Sequence, residues 1–261
     1  MFKAYVLFGQ QEYLDLFNEA FSNVLKMMQK PTIPYLFANV DMQTGNISNM
    51  WVDSLQAYVG GLLASTGEVR GAVLHHQMYY NIWKKFGAMP ERFNLLTKMP
   101  EVSVYPLRPE LMESTFTLYR ATKDPLYVEI GRELMCDLQA TAATCGYATL
   151  HNVVTKEQED RMESFFLSET LKYLYLLFDA NNILHTKAWN HIFTTQGHII
   201  PVSSIYRDSS PLSMDAKGTN SKINQTLHKI PKCVTGLTPG ANALKPGEVQ
   251  ALIKQVKLQF P

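Results

Sequence analysis

The chain has 261 residues, 46% hydrophobic and 11% aromatic, enough for one large domain or two small ones with a sizeable core. A formal net charge of +1 argues against nucleic acid or a strongly anionic surface as partner. No apolar run reaches transmembrane length, and the first residues lack the apolar run and cleavage site of a signal peptide.

Phe2 to Phe8 reads as the end of a helix: no cap precedes it and Gly9 stops it, so the chain is expected to start inside an element. Tyr13, Leu14, Phe17, Ala20, Phe21, Val24 and Met28 form a stripe of helical period. Tyr35 to Val40 followed by Gln43-Thr-Gly-Asn46 predicts a short strand and a turn. Trp51 to Ala64 predicts a helix with Trp51, Leu55, Tyr58 and Leu62 in register and Asp53-Ser54 as plain caps near its start. A second helix spans Val69 to Phe86, closed by Gly87. Its adjacent His75 and His76 face different sides and make no chelating pair. Lys123-Asp-Pro125 breaks the chain and starts a new helix, with Asp124 as cap and Pro125 as first residue. Cys145-Gly-Tyr-Ala148 turns into something extended, and Asn190 to Ile200 is strand-like with a turn at Gly197. Beyond Val202 the composition shifts to Ser, Asp, Asn, Lys, Gly and Pro. Residues 203–261 therefore read as a linker or disordered tail, with an amphipathic stripe near 248–260 placed to dock on the domain or on a partner. Cys136, Cys145 and Cys233 have no metal-ligand spacing. Their odd number suits a reduced compartment, which the sequons Asn46-Ile-Ser48 and Asn224-Gln-Thr226 qualify. Helices paired through short strands and turns, without a βαβ rhythm, predict a helical-hairpin architecture.

Three stretches carry candidate chemistry. In Val104-Tyr-Pro-Leu-Arg-Pro-Glu-Leu-Met-Glu-Ser114 an extended approach breaks into a helix, with Pro109 suited to its first turn. Glu110 and Glu113 lie three apart on one face, with Arg108 just outside. The plain reading is a first turn whose acids complement the helix dipole. Arg161 to Phe178 predicts a helix with Ser164 as cap, apolar almost all round from Phe165 onward. Glu169 on that helix is a costly buried carboxylate, either ion-paired with Lys172 or an arginine, or functional. Thr194 and Thr195 offer hydroxyl and carbonyl oxygens of the kind a hard cation takes. Glu91, in Gly87-Ala-Met-Pro-Glu-Arg-Phe93, reads on its own as a solvated loop charge.

Tyr105 to Ser114, Arg161 to Phe178 and Phe193-Thr-Thr-Gln-Gly-His198 together resemble glycoside hydrolase family 47, the α-1,2-mannosidases. Cys145-Gly-Tyr-Ala-Thr-Leu150 and Trp51-Val-Asp-Ser-Leu-Gln56 are similar to its ER degradation-enhancing branch. The likeness runs over residues 1–202 and corresponds to roughly the C-terminal half of the catalytic domain. It implies an all-α fold, a partial (α/α)7 barrel of helical hairpins with short β-turn insertions. It further implies a calcium ion and inverting removal of mannose from N-glycans of misfolded glycoproteins in the ER lumen. An ER chaperone or oxidoreductase partner goes with that role. Inverting glycosidases use one carboxylic acid and one water-activating carboxylate. By resemblance Glu110 is the base, Glu91 a second active-site glutamate, and Thr195 the calcium ligand. Arg108, Glu113, Phe165 and Glu169 would line the mannose subsite. The helix bearing the family's acid and a preceding aspartate motif have no counterpart here, so a truncated form is expected. Gln196 stands where the family usually has glutamate, which is expected to weaken the metal's outer shell. The alternative is a lectin-like, mannose-binding factor without turnover.

Overall fold

The computed structural model describes residues 1–29, 36–185, 190–203 and 206. The tail beyond Tyr206, its amphipathic stripe and Asn224 lie outside the described residues.

Helices α1 (Phe2–Phe8) and α2 (Gln11–Met28) form the first hairpin, turning at Gly9 in a left-handed cap. The expected stripe of α2 holds this hairpin together, through Phe2 against Phe17 and Phe17 against Phe21, each with ring centroids 5.2 Å apart. No residue of α2 is fully buried, so the helix lies at the edge of the described fold. A small antiparallel ladder follows, β1 (Asn39–Val40) with β2 (Ile47–Asn49), and Asn46 is exposed in its turn.

The predicted helix over 51–64 needs correction. Trp51–Asp53 is a strand (β3), paired antiparallel with β4 (Arg92–Asn94), which in turn pairs with β5 (Met99–Val102). A 3-10 turn, Ser54–Tyr58, then leads into α3 (Val59–Ser65). Asp53 opens that turn, with its N–H bonded to the Gln56 side chain at 3.2 Å. Pairing with a partner some forty residues downstream overrides the local helical period, as tertiary context commonly does.

The hairpins are built from α3, α4 (Val69–Phe86), α5 (Glu110–Thr122), α6 (Leu126–Gln139) and α7 (Leu171–Phe178). Helix α3 packs on α4 and α5, and α5 also packs on α6 and α7. Gly87 closes α4 and the Asp124 carboxylate caps the start of α6, as read from the sequence. His75 and His76 are both core residues. Burial pushes both down to about 3, and His76 bonds the Thr115 hydroxyl at 2.8 Å. Trp83, Tyr105, Tyr127, Phe116, Phe166 and Tyr173 fill the core. The remaining strands are β6 (Ala142–Ala143), β7 (Gly146–Tyr147), β8 (Thr149–Asn152), β9 (Glu157–Glu159), β10 (His191–Phe193) and β11 (Ile199–Pro201). They pair with their sequence neighbours in short antiparallel ladders, and Leu150 of β8 also bridges to Tyr105. The fold is thus mainly helical but carries strands throughout, and the all-α expectation was too narrow. Among the described residues no helix is long and apolar enough to cross a membrane.

One buried hydroxyl joins α3 to α5. Ser114 accepts the Gly61 N–H at 2.8 Å and donates to the Ala57 carbonyl at 2.6 Å. Ser114→Ala removes the side-chain partner of both buried backbone groups. The expected loss is about 2–4 kcal/mol of stability, measured by urea denaturation. A change within a few tenths would mean that the two helices do not depend on this bridge.

Candidate active site

The site is assembled around the approach to α5. Leu107 is fully buried and adopts a left-handed backbone, φ 64°, unusual for leucine. Two hydroxyls brace it. Thr170 donates to the Leu107 carbonyl at 2.7 Å, and Tyr105 donates to the Arg108 carbonyl at 3.3 Å. Pro109 takes the capping position rather than the first helical one. The kink turns Arg108 back toward Glu91, and their side chains pair at 2.6 Å. The other Glu91 oxygen accepts from the Ser54 hydroxyl at 3.1 Å. Glu91 is therefore no solvated loop charge. Its backbone is tied in as well, by a bond from the Ser54 N–H to its carbonyl and one from its own N–H to Val104. The Arg108 guanidinium lies over the Phe165 ring, 5.7 Å from its centroid.

Glu110 opens α5. One of its carboxylate oxygens is buried with no hydrogen-bond partner. Burial pushes it up from 4.5 to about 7, against the pull of its own backbone N–H and of Arg108, and the charges of Glu113 and Glu169 add to the rise. A rise of that size corresponds to roughly 3 kcal/mol against ionisation. A helix N-terminus returns only about 0.3–1 kcal/mol to an acid in its first turn. Desolvation wins, so the plain dipole reading of this turn does not describe Glu110.

Glu113 is also raised by burial, and Lys3 on α1 opposes the rise from 3.8 Å away. Glu169 sits in a π turn, Phe166–Thr170, that interrupts the helix predicted from Phe165 onward. It is 7% exposed and raised by burial and by Glu113. Its expected partner Lys172 instead donates to the Gly197 carbonyl at 2.8 Å. The Tyr173 phenol is pushed up by burial and by the charges of Glu113, Glu169 and Glu110, which places all four groups in one field.

The turn between β10 and β11 closes onto the π turn at Gly197, where φ is 68°. A Cβ there would lie 2.9 Å from the Ser168 carbonyl oxygen and 3.1 Å from the Glu169 side chain. Thr195 belongs to this turn and is exposed, as is Gln196. Its hydroxyl and carbonyl are hard oxygens, and the buried Glu169 lies against Gly197, two residues further on in the same turn. That donor chemistry fits a calcium ion held by Thr195 with carboxylates in its outer shell. Among the described residues no group of three or more His, Cys, Asp or Glu is spaced to bind a metal directly.

The structure thus brings Glu91, Arg108 and Phe165 into one contiguous group, and Glu110, Glu113 and Glu169 into one field. It sets Thr195 in the turn that abuts Glu169. Sequence reasoning missed Lys3, Ser54, Thr170 and Tyr173. Only Ser54 carried a signal, and it was read as a cap.

The described residues thus hold a helix-borne cluster of buried carboxylates beside an aromatic ring and an ion-paired arginine. Residues 1–202 match the family model described as Glycosyl hydrolase family 47, and the chain belongs to that family. Over 210 residues it is 44% identical to ER degradation-enhancing alpha-mannosidase-like protein 1 of Schizosaccharomyces pombe, covering 80% of this chain and 27% of that protein. It is 41% identical over 210 residues to alpha-mannosidase I MNS4 of Arabidopsis thaliana, covering 78% of this chain and 33% of the relative. The chain thus spans about a quarter to a third of these relatives' length. The solved structure of an alpha-1,2-mannosidase from Trichoderma reesei shares the fold, with a TM-score of 0.67 at 20% identity over 77% of this chain and 50% of the other.

Because folded Glu110 holds its proton above the unfolded range, its contribution to stability is complete below about 4.5 and is lost as pH rises through about 7. Glu110→Gln removes that titration. In calcium-free buffer the variant should be more stable than the parent at pH 8, by up to roughly 3 kcal/mol, and the gap should close toward pH 4.5. Chemical denaturation across that range measures it; a pH-independent gap would refute the buried-carboxylate assignment. Gly197→Ala should cost about 1–3 kcal/mol through its positive φ and its clash with the π turn, read as a lowered melting temperature.

Proposed function

We propose that this chain carries the water-activating and sugar-binding wall of a calcium-dependent, inverting α-1,2-mannosidase in an (α/α)7 barrel. Such an enzyme would act in the ER lumen on high-mannose N-glycans of misfolded glycoproteins. The observation that carries this reading is Glu110, a buried carboxylate with an unpartnered oxygen, poised near neutral pH. A carboxylate so poised takes a proton from water efficiently at pH 7. Phe165 offers the sugar ring a stacking face, and Arg108 above it is fixed by Glu91 and Ser54. Glu113 and Glu169 are acceptors for mannose hydroxyls. Thr195 would hold the calcium ion, which when bound supplies ligation of sugar hydroxyls and favours a distorted ring. Glu91 is assigned to orienting Arg108, because both its oxygens already accept hydrogen bonds.

That engagement of Glu91 favours a second reading, a lectin-like glycan-binding factor of ER-associated degradation. Among the residues proposed for the site, Glu110 is the carboxylate with a buried oxygen left unpartnered. The two readings part on one experiment. The chain, joined to a family 47 segment that supplies the acid-bearing helix, is incubated with a high-mannose N-glycan and calcium, and released sugar is followed by proton NMR. The enzyme reading expects β-mannose as first product, a loss of about 10²–10⁴-fold in Glu110→Gln with binding kept, and a higher calcium requirement in Thr195→Ala. Glycan binding without release supports the second reading. A first product of α configuration would overturn the inverting mechanism.

A further inference from the structure

Away from the carboxylate cluster, α4 carries a cavity of about 800 Å³ that it shares with the β4–β5 hairpin and α6. None of the glutamates proposed for the active site lines it. Its apolar lining comes from Met78 and Ile82 on α4 and from Phe93 and Leu95 on and just after β4. Met78, Ile82 and Phe93 are each at most 6% exposed, so these walls are deep rather than superficial. Asn81 also lines the cavity. Its side-chain oxygen accepts from Gln77 at 2.7 Å, while its amide nitrogen is shielded from solvent and has no partner. A buried amide left without an acceptor costs about 1–3 kcal/mol, which a bound acceptor removes.

The charges at the rim point the same way. Lys84 is paired with Glu133 at 2.9 Å, and the same glutamate also accepts from the Tyr80 hydroxyl. Lys85 donates to the Lys98 carbonyl at 2.6 Å. Lys98, at the turn of the hairpin, makes no ion pair among the described residues. Three ammonium groups thus face one carboxylate around an apolar pocket.

We propose that this cavity binds a small amphiphilic anion, with its carboxylate or sulfonate on Lys98 and the Asn81 amide and its apolar body on Met78, Ile82, Phe93 and Leu95. The volume matches the 300–1,000 Å³ of sites that hold one small molecule, and the pattern of apolar walls with a few convergent polar groups is that of such sites. The net positive rim selects an anion over a neutral or cationic amphiphile. The inference stands independently of the glycosidase reading.

The test uses the full chain and 8-anilino-1-naphthalenesulfonate, an anionic aromatic probe that fluoresces on burial. One saturable site is expected, displaced by decanoate at concentrations at least tenfold below those at which decanol displaces it. Lys98→Asn keeps a residue that tolerates the positive φ of 54° and removes the charge. Asn81→Leu removes the orphan amide but also takes the acceptor from the buried Gln77 amide, at an expected cost of about 1–3 kcal/mol, so its melting temperature is measured alongside. Each should weaken probe binding five- to tenfold, with unchanged circular dichroism. Should one variant fail to fold, the other together with the decanoate–decanol comparison still decides. Equal displacement by decanol and decanoate overturns the proposal. So does probe binding that neither variant alters, which would place the probe on other apolar surface. Failure of the probe to bind at all, as when a polypeptide segment fills the cavity, overturns it too.

Discussion

A single hydrogen bond, from the Thr170 hydroxyl to the Leu107 carbonyl, joins the two halves of the proposed site. On one side it holds a leucine in a backbone region that costs of order 1–3 kcal/mol. On the other it anchors the π turn that carries Glu169. Without the kink at Leu107, Arg108 would continue the extended approach and not fold back onto Glu91. Without the π turn, Glu169 would follow a regular helix and shift relative to Gly197. Strain and helix irregularity meet at one point because both serve to aim side chains that regular elements would aim elsewhere.

The second organising constraint is desolvation. Glu110, Glu113 and Glu169 share a field, and the cations nearby are largely engaged by other groups. Burial dominates each of their shifts, and the charges of neighbouring carboxylates add to the rise at Glu110 and Glu169. A folded chain tolerates such a cluster only because the stability comes from elsewhere: the aromatic core of Trp83, Tyr105, Tyr127, Phe116 and Tyr173, and the Ser114 bridge between α3 and α5. The same framework gives the cluster little freedom to relax, which keeps Glu110 near neutral rather than letting it turn outward to water.

Much of this was legible in the sequence, and what was not shares one cause. The stripes of α2, α4 and α6, the stops at Gly9 and Gly87 and the turn at Gly197 follow from local period and turn chemistry. Arg108, Glu110, Glu113, Phe165 and Glu169 stand in two long motifs, which is what makes them candidates from the sequence. What failed was anything set by a distant partner. Trp51 to Asp53 fits a helical stripe until β4 arrives to pair with it. Glu91 looks solvated until the sheet that follows it brings Arg108 within reach, seventeen residues on. Lys172 is well spaced for Glu169, yet the Gly197 carbonyl captures it. Lys3 and Tyr173 had no local feature that tied them to Glu113.

Lys3 has one more implication. It reaches Glu113 from α1, the shortest part of a hairpin whose second helix buries none of its residues. Segments with so few buried contacts open at the low end of a protein's free-energy scale, well before the core does. Each such opening would carry a positive charge away from the carboxylates and return it on closing. The ionisation of the proposed site would then follow the docking of an edge hairpin, and amide exchange in α1 and α2 would serve as a clock for the electrostatics of Glu113.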